Sequence, residues 1–122
     1  MTIQERITRA YCRLKKAPKL LKHRTCDGES NFCAVGALGW NAPEPAKRLE
    51  PDELTEISKI LAKHIPEDWK PSVTPRYDPK TFPSLEWGQV VTYNNDPATT
   101  QADVVAVFKK AVKELKNESK SH

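Results

Sequence analysis

Apolar residues recur with the period of an α-helix in three parts of the chain. In each part they fall three or four residues apart, which places them on one side of a helix. Two of these parts open with a Thr-x-x-Glu or Thr-x-x-Asp pair, the pattern of a capping box, and the third opens with proline followed by acids. The pattern therefore predicts helices over residues 3–16, from Pro51 to before Pro66, and over residues 100–117.

A fourth, short helix is predicted in the most apolar stretch, residues 32–40, where small side chains would let another backbone approach closely. Two other segments lack the helical period. Residues 20–28 end on an Asp-Gly turn signal and predict a short hairpin or an irregular loop, and residues 89–93 are rich in strand formers. The predicted fold class is mainly α: a compact helical domain of about four helices with a long loop and at most a short hairpin or strand.

The long loop is the Pro-rich arm, residues 66–87, in which proline recurs every four or five residues. Proline breaks helices and is excluded from interior strands, so we expect an ordered loop or an extended arm. The aromatic residues Trp69, Tyr77 and Phe82 make the arm too apolar for an ordinary solvated linker. No change of composition marks a second core, so residues 1–122 form a single predicted domain whose tail, residues 117–122, should fray.

The composition supports one domain and shows where the charge is concentrated. Of the 122 residues, 38% are hydrophobic and 30% are charged, which is enough apolar surface for one core. No apolar run is long enough to cross a bilayer, and the first residues lack the features of a signal peptide, so we expect a cytoplasmic protein with no membrane partner. The net charge of +4 is local, because residues 1–24 hold eight Lys or Arg and the single acid Glu5.

Basic residues of the first predicted helix define a candidate binding face. On a helical wheel they fall together, opposite the apolar stripe, and they are Arg6, Arg9, Arg13 and Lys16. Nucleic acid is a possible partner through residues 6–24, although ordinary solvation of an outer helix face explains the same pattern. Because no aromatic residues are interleaved for stacking on bases, we expect any such binding to be weak and without sequence preference.

A cysteine hydrolase is the sharpest catalytic hypothesis that the sequence offers. Cys33 is predicted to begin a helix, whose dipole would stabilise a thiolate, and His64 and Asn95 follow in the order found in papain-like enzymes. Cys33 nevertheless lies in the most apolar segment, and His64 falls on the apolar side of its helix. A buried thiol and a partly buried histidine are therefore preferred, and no catalytic residue is assigned.

Two further groups of residues could bind a metal or another ligand, but for each the sequence favours an explanation without one. The side chains of Cys12, His23, Cys26 and Cys33 offer four zinc ligands, but they form one two-ligand knuckle where zinc sites usually have two. Whether they bind a metal stays open, and we expect reduced thiols with no metal and no cofactor. Residues 94–96, Asn-Asn-Asp, would suit a ligand or a cation, yet a turn before a helix uses the same side chains.

Two blocks of the sequence resemble a known family. The first is Cys-Ala-Val-Gly-Ala-Leu at residues 33–38, and the second is Val-Val-Thr-Tyr-Asn-Asn-Asp-Pro at residues 90–97 with the start of the next helix. Their order and spacing are similar to those of small uncharacterised proteins of bacteria, notably actinobacteria, and of phages. The resemblance covers about two-thirds of the chain. It implies a compact helical fold and a phage or bacterial source, and it implies no activity.

The function predicted from these observations is non-catalytic binding. We expect a small accessory protein, phage-encoded or phage-related, that binds a host macromolecule, in the first instance a host protein, in the host cytoplasm. The arm supplies the candidate partner-binding residues, because aromatic side chains suit interface anchors, and they are Trp69, Arg76, Tyr77 and Asp78. The alternatives are a Cys33-dependent hydrolase or transferase and a weak nucleic-acid-binding protein that uses the basic face of the first helix.

Overall fold

Capping interactions set the ends of the helices in the computed structural model, which describes residues 2–22, 31–40, 42, 44, 48–74 and 84–120. The predicted fold class is confirmed, because the described part of the chain is mainly helical and forms no sheet. Its helices are α1 (Ile3–Lys16), α2 (Ala34–Ala37), α3 (Pro51–Ala62), α4 (Leu85–Asn95) and α5 (Gln101–Lys120).

Both predicted capping pairs are present, and they explain where α1 and α5 begin. The backbone N–H of Glu5 donates to Thr2 Oγ1 at 3.1 Å, and the N–H of Thr2 donates to Glu5 Oε1 at 3.3 Å. At α5 the N–H of Asp103 donates to Thr100 Oγ1 at 3.1 Å, and the N–H of Thr100 donates to Asp103 Oδ2 at 2.9 Å. Each pair satisfies two backbone donors that a helix start leaves without partners.

The short strand predicted at residues 89–93 is wrong, because these residues belong to α4. The helix begins where the Ser84 side chain accepts the N–H of Trp87 at 3.0 Å, so the Pro-rich arm also ends earlier than residue 87. Trp87, Val90 and Tyr93 are all buried, and their spacing of three residues is helical. The valines and threonine of this segment favour strands, but burial of one helical face outweighs that preference.

The remaining differences from the predicted boundaries are small. The helix α3 ends at Ala62 and is followed by a turn, whereas the apolar pattern continues to Ile65. The helix α5 continues to Lys120, so the tail predicted to fray from residue 117 is helical for several more residues, because no Gly or Pro stops it there. Leu20 and Phe32 form an isolated parallel bridge, which is not the antiparallel pairing of a hairpin. Residues 23–28 of the predicted hairpin or loop lie outside the described residues.

The core forms where α1 and α5 pack together and α3 and α4 close over them. The side chain of Gln101 donates to the carbonyl oxygens of Leu14 and Ala17 at 2.8 and 2.7 Å, so the start of α5 lies at the end of α1 and the two helices run roughly antiparallel. The segment around α2 is buried between them, as its small residues predict. The rings of Trp40 and Trp87 meet edge to face at 4.8 Å and join this segment to α4.

Candidate functional site

The turn between α4 and α5, residues 94–99, accepts hydrogen bonds from several distant segments, and Asp96 is its centre. The Asp96 carboxylate is 4% exposed. It accepts the indole N–H of Trp69 at 3.0 Å, the backbone N–H of Ser72 at 3.1 Å and that of Ala98 at 3.0 Å, and it also accepts the hydroxyl of Ser72. Three of these four donors come from residues 66–74 and fix this first part of the arm against the turn.

The same hydrogen bonds keep Asp96 ionised. The hydroxyl of Ser72 contributes most, and together with the other donors it lowers the pKa of Asp96 to about 2, although burial acts in the opposite direction. A carboxylate that accepts several hydrogen bonds is stabilised in its charged form, so its proton is lost more easily. Asp96 is therefore charged throughout the physiological pH range.

Asn94 joins the α4–α5 turn to two other segments. Its side chain is buried, and Oδ1 accepts the backbone N–H of Ala34, at the start of α2, at 2.9 Å. Its Nδ2 donates to the carbonyl oxygen of Leu21 at 3.0 Å and to Asn95 Oδ1 at 3.2 Å. The side chains of Asn94 and Asp96 thus hold a turn before a helix, which is the role that the sequence favours for residues 94–96.

Lys22 supplies the positive charge of this turn. Its Nζ donates to the carbonyl oxygens of Asn94, Asp96 and Thr99 at 2.7, 2.7 and 2.9 Å, which uses all three of its N–H donors. Carbonyl groups at the end of a helix lack intrahelical partners and carry partial negative charge, so an ammonium group is well placed there. Burial lowers the pKa of Lys22, and the nearby carboxylates of Asp96 and Asp103 partly oppose the shift.

The sequence does not single out Lys22, because its three acceptors lie more than 70 residues away along the chain. It appears there only as one of the eight bases of residues 1–24. Ser72 is missed for the same reason, since the Asp96 carboxylate that it binds is 24 residues away. No local signal in the sequence identifies either contact.

The described part of the arm, residues 66–74, is held at this turn. Trp69 is half-buried, and its ring meets the ring of Tyr93 edge to face at 5.1 Å. The predicted partner-binding residue Trp69 therefore anchors the arm to the core through both its ring and its N–H. Arg76, Tyr77 and Asp78 lie outside the described residues, as does Phe82.

Among the described residues, the exposed large apolar side chains are those of Val73 and Leu85, with 56% and 59% of their surface accessible. They stand on either side of residues 75–83 in the sequence. Singly exposed apolar side chains are common on protein surfaces, so it is their position next to the arm in the sequence that makes these two candidates for contact with a partner.

The predicted basic face of α1 is only partly correct, because Arg6 is buried with 7% of its surface accessible. Its Nε donates to Glu53 Oε2 on α3 at 3.1 Å, and its other nitrogens donate to the carbonyl oxygens of Leu38 and Arg48 at 3.4 and 3.2 Å. Arg6 lies at the edge of the apolar stripe, where its stem packs inward and Glu53 neutralises its charge. It is not available to a partner on the outer face.

The other three predicted basic residues differ in exposure. Arg13 is half-buried, its Nη1 donates to the carbonyl oxygen of Ala37 at 2.8 Å, and its guanidinium lies 6.0 Å from the ring centre of Phe32. Arg9 and Lys16 are exposed, as predicted. The outer face of α1 therefore keeps fewer cations than the helical wheel indicates.

The side chains of the hypothetical hydrolase have contacts that a structural role explains. Cys33 is 6% exposed, and its Sγ accepts the backbone N–H of Gly36 at 3.3 Å at the start of α2. The Nε2 atom of His64 lies 3.4 Å from Glu114 Oε2 on α5. The side chain of Asn95 accepts a hydrogen bond from Asn94.

The described residues contain neither a group of side chains that could hold a metal ion nor a helix that could cross a membrane. Over residues 2–22, 31–40, 42, 44, 48–74 and 84–120, no group of three or more His, Cys, Asp or Glu side chains could hold a metal ion. His23 and Cys26 of the hypothetical zinc set lie outside these residues. No helix in the described part of the chain has both the length and the apolar character needed to cross a bilayer.

Comparison with known proteins gives one match. A model described as Family of unknown function (DUF6197) matches residues 1–114. This match agrees with the resemblance to an uncharacterised family that the sequence blocks indicate. No curated protein and no solved structure matches the chain.

Proposed function

The chain belongs to this family of unknown function, and on that premise we propose that it is a small non-catalytic accessory protein that binds a host protein. The proposal includes a phage or phage-related source and action in the host cytoplasm. The source rests on the resemblance of residues 33–38 and 90–105 to bacterial and phage proteins. The partner-binding element of the proposal is the tip of the Pro-rich arm, at Arg76, Tyr77 and Asp78.

The observation that carries the proposal is the anchoring of the arm on the α4–α5 turn. Trp69 and Ser72 both bind the Asp96 carboxylate, so the chain enters residues 75–83 from a fixed point. A fixed starting point lowers the entropy that a binding segment loses when it meets its partner. The exposed Val73 and Leu85 on either side support a contact surface in the same region.

The test compares two variants of the full chain. In the arm variant, Arg76-Tyr77-Asp78 is replaced by Gly-Ser-Gly. In the control variant, the exposed α3 residues Glu56 and Lys59 are both replaced by Ser, which also removes one acid and one base. Each protein is melted and is then used to capture partners from a nuclease-treated host lysate, with the captured protein quantified by mass spectrometry.

We expect the arm variant to keep its stability to within about 1 kcal/mol, because the proline pattern predicts a loop for residues 76–78 and loops tolerate change better than the core. Capture should weaken by about 2 kcal/mol or more, roughly thirtyfold, if Tyr77 is an interface anchor. The control should capture as the unmodified protein does. Unfolding of the arm variant would place the arm in the core, and unchanged capture by a folded arm variant would move the binding surface elsewhere.

The non-catalytic part of the proposal rests on the burial of Cys33. Cys12 on α1 is exposed and serves as an internal reference. Iodoacetamide should label Cys12 quickly and Cys33 at least about ten times more slowly, because burial shields the Cys33 thiol from the reagent. Peptide mapping at several times would measure both rates. Fast labelling of Cys33 at neutral pH would favour the hydrolase or transferase instead.

A further inference from the structure

The outer face of α5 carries a row of cations that the basic N-terminal segment does not include. The four lysines of this row are exposed, and within the described part of the chain none of them forms an ion pair: Lys109, Lys110, Lys113 and Lys116. At 100° per residue they occupy about a third of the helix circumference, opposite the buried Val104, Phe108 and Ala111. The row extends over about 10 Å of the helix at 1.5 Å per residue.

The row on α5 lies beside the N-terminal half of α1, where Arg9 is level with its first lysines. The two helices pack against each other and run roughly antiparallel, because Gln101 binds the carbonyl oxygens at the end of α1. The outer face of α1 adds three exposed bases, Arg9, Lys15 and Lys16. Helices in contact lie about 8–10 Å apart, so Arg9 is close to the start of the lysine row. Lys15 and Lys16 are level with the start of α5, about 12 Å from Lys109 along the helix axis, and extend the positive charge in that direction. We call the exposed outer surface of the two helices the α1/α5 face.

The acids on these two helices neutralise only part of the α1/α5 face. Glu5 is close to Arg9: hydrogen bonds with Thr2 lower the pKa of Glu5 most, and the charge of Arg9 adds to that shift. Glu5 and Asp103 are used as caps, where they accept the N–H groups of Thr2 and Thr100 at the helix starts. Glu114, at the side of the lysine row, lies 3.7 Å from Lys63 Nζ and 3.4 Å from His64 Nε2 on the α3 side. Glu118 is the remaining exposed acid of α5 among the described side chains.

The α3 helix shows that this charge distribution is not general. Its exposed charged residues are Asp52, Glu56 and Lys59, so that surface has more acids than bases. The seven exposed bases of the α1/α5 face against three exposed acids are therefore a local excess. Such an excess on one side of a small protein attracts a polyanion and orients it.

We propose that the α1/α5 face binds the phosphate backbone of double-stranded nucleic acid without reading its sequence. Six of the seven bases are lysines, which act as point charges toward phosphate oxygens and carry no base specificity. A single strand is not favoured, because the described outer faces of both helices lack an exposed aromatic ring for stacking. The one aromatic near these cations, Tyr11, is half-buried beneath Lys15, whose Nζ lies 5.6 Å from the ring centre.

This inference is independent of the arm, because it uses other residues and another class of partner. The test measures fluorescence anisotropy of a labelled 20-base-pair duplex at several salt concentrations. Three double variants to Gln have the same net charge: Lys109 with Lys113 on α5, Arg9 with Lys16 on α1, and the exposed Lys59 with Lys70 as the control. Gln is a good helix former and all substituted side chains are exposed, so the fold should be retained, which circular dichroism checks.

We expect a Kd of about 1–100 μM for the unmodified protein at physiological salt, with a steep loss of affinity as salt rises. The α5 and α1 variants should each raise the Kd by at least about fivefold at low salt and should each reduce the slope of log K against log salt by about two. The control should change the Kd by less than about twofold. The arm variant should bind the duplex as the unmodified protein does.

Three results would overturn the inference. The first is no saturable binding at low salt, and the second is an equal effect of the control and the α5 variant, which would mean that only net charge matters. The third is equal or tighter binding to a single strand or to polyglutamate of the same charge. That result would show a surface for other polyanions instead of duplex nucleic acid.

Discussion

Lys22 and Lys16 come from the same basic stretch of sequence, yet they belong to two opposite kinds of surface. Lys22 binds three carbonyl oxygens in the α4–α5 turn, where each N–H of its ammonium group has a protein acceptor. Lys16 lies exposed on the α1/α5 face. A lysine in this protein is therefore structural where a helix end supplies carbonyl oxygens as hydrogen-bond acceptors. It is available to a ligand where no such acceptor is supplied.

The comparison predicts that removing the centre of the α4–α5 turn has the largest effect. Asp96→Ala leaves the half-buried indole N–H of Trp69 and the donors of the exposed Ser72 and of Ala98 without their acceptor. The free energy of unfolding should fall by about 3 kcal/mol, because hydrogen bonds to a charged group contribute more than neutral ones and unsatisfied donors are costly. Urea unfolding followed by tryptophan fluorescence measures it. A loss below about 1 kcal/mol would mean that the turn does not anchor the arm.

Replacement of Lys22 should have the next largest effect. Lys22→Met keeps much of the side-chain packing but removes the ammonium donor from three carbonyl oxygens of the α4–α5 turn. Among the described residues, only the carbonyl of Asp96 keeps a backbone donor, the N–H of Thr99. We expect a loss of about 2 kcal/mol in the free energy of unfolding, since a buried backbone acceptor without a partner is unfavourable. Thermal and urea unfolding should agree on the value. An unchanged midpoint would show that water replaces the ammonium group without cost.

The low pKa of Asp96 makes the stability that the α4–α5 turn contributes depend on pH. Because its pKa is about 2 in the folded protein and about 4 in an unfolded chain, its charge stabilises the fold fully above about pH 4. That stability is lost as the pH falls from about 4 to about 2. Asp96→Asn removes the titration, so the difference in urea midpoint between the two proteins should shrink over this range. A difference that is constant from pH 7 to pH 2 would contradict the assignment.

Local patterns in the sequence predict the helix ends much better than they predict the α4–α5 turn. The Thr2 and Glu5 pair forms its contacts within one turn of helix, so its spacing alone is enough to place the start of α1. The α4 helix is missed because its valines favour a strand and only tertiary burial decides otherwise.

Contacts between distant residues explain the remaining errors. Arg6 is assigned to the outer face because the helical wheel contains no information about Glu53, which lies 47 residues away and draws it inward. The contacts of Lys22 span still longer separations. Such residues become predictable only when the packing of the helices is known.

The smallest expected effect is that of Lys16→Met, which is the matched control for Lys22→Met. The two substitutions remove the same charge from residues six positions apart, but Lys16 is exposed and no ion pair or hydrogen bond of its side chain is found among the described residues. The free energy of unfolding should change by less than about 0.5 kcal/mol, as for most exposed positions. Urea unfolding at neutral pH measures both variants side by side. A loss as large as that of Lys22→Met would show that the positive charge of the N-terminal segment stabilises the fold as a whole, and the distinction between structural and available charge would then fail.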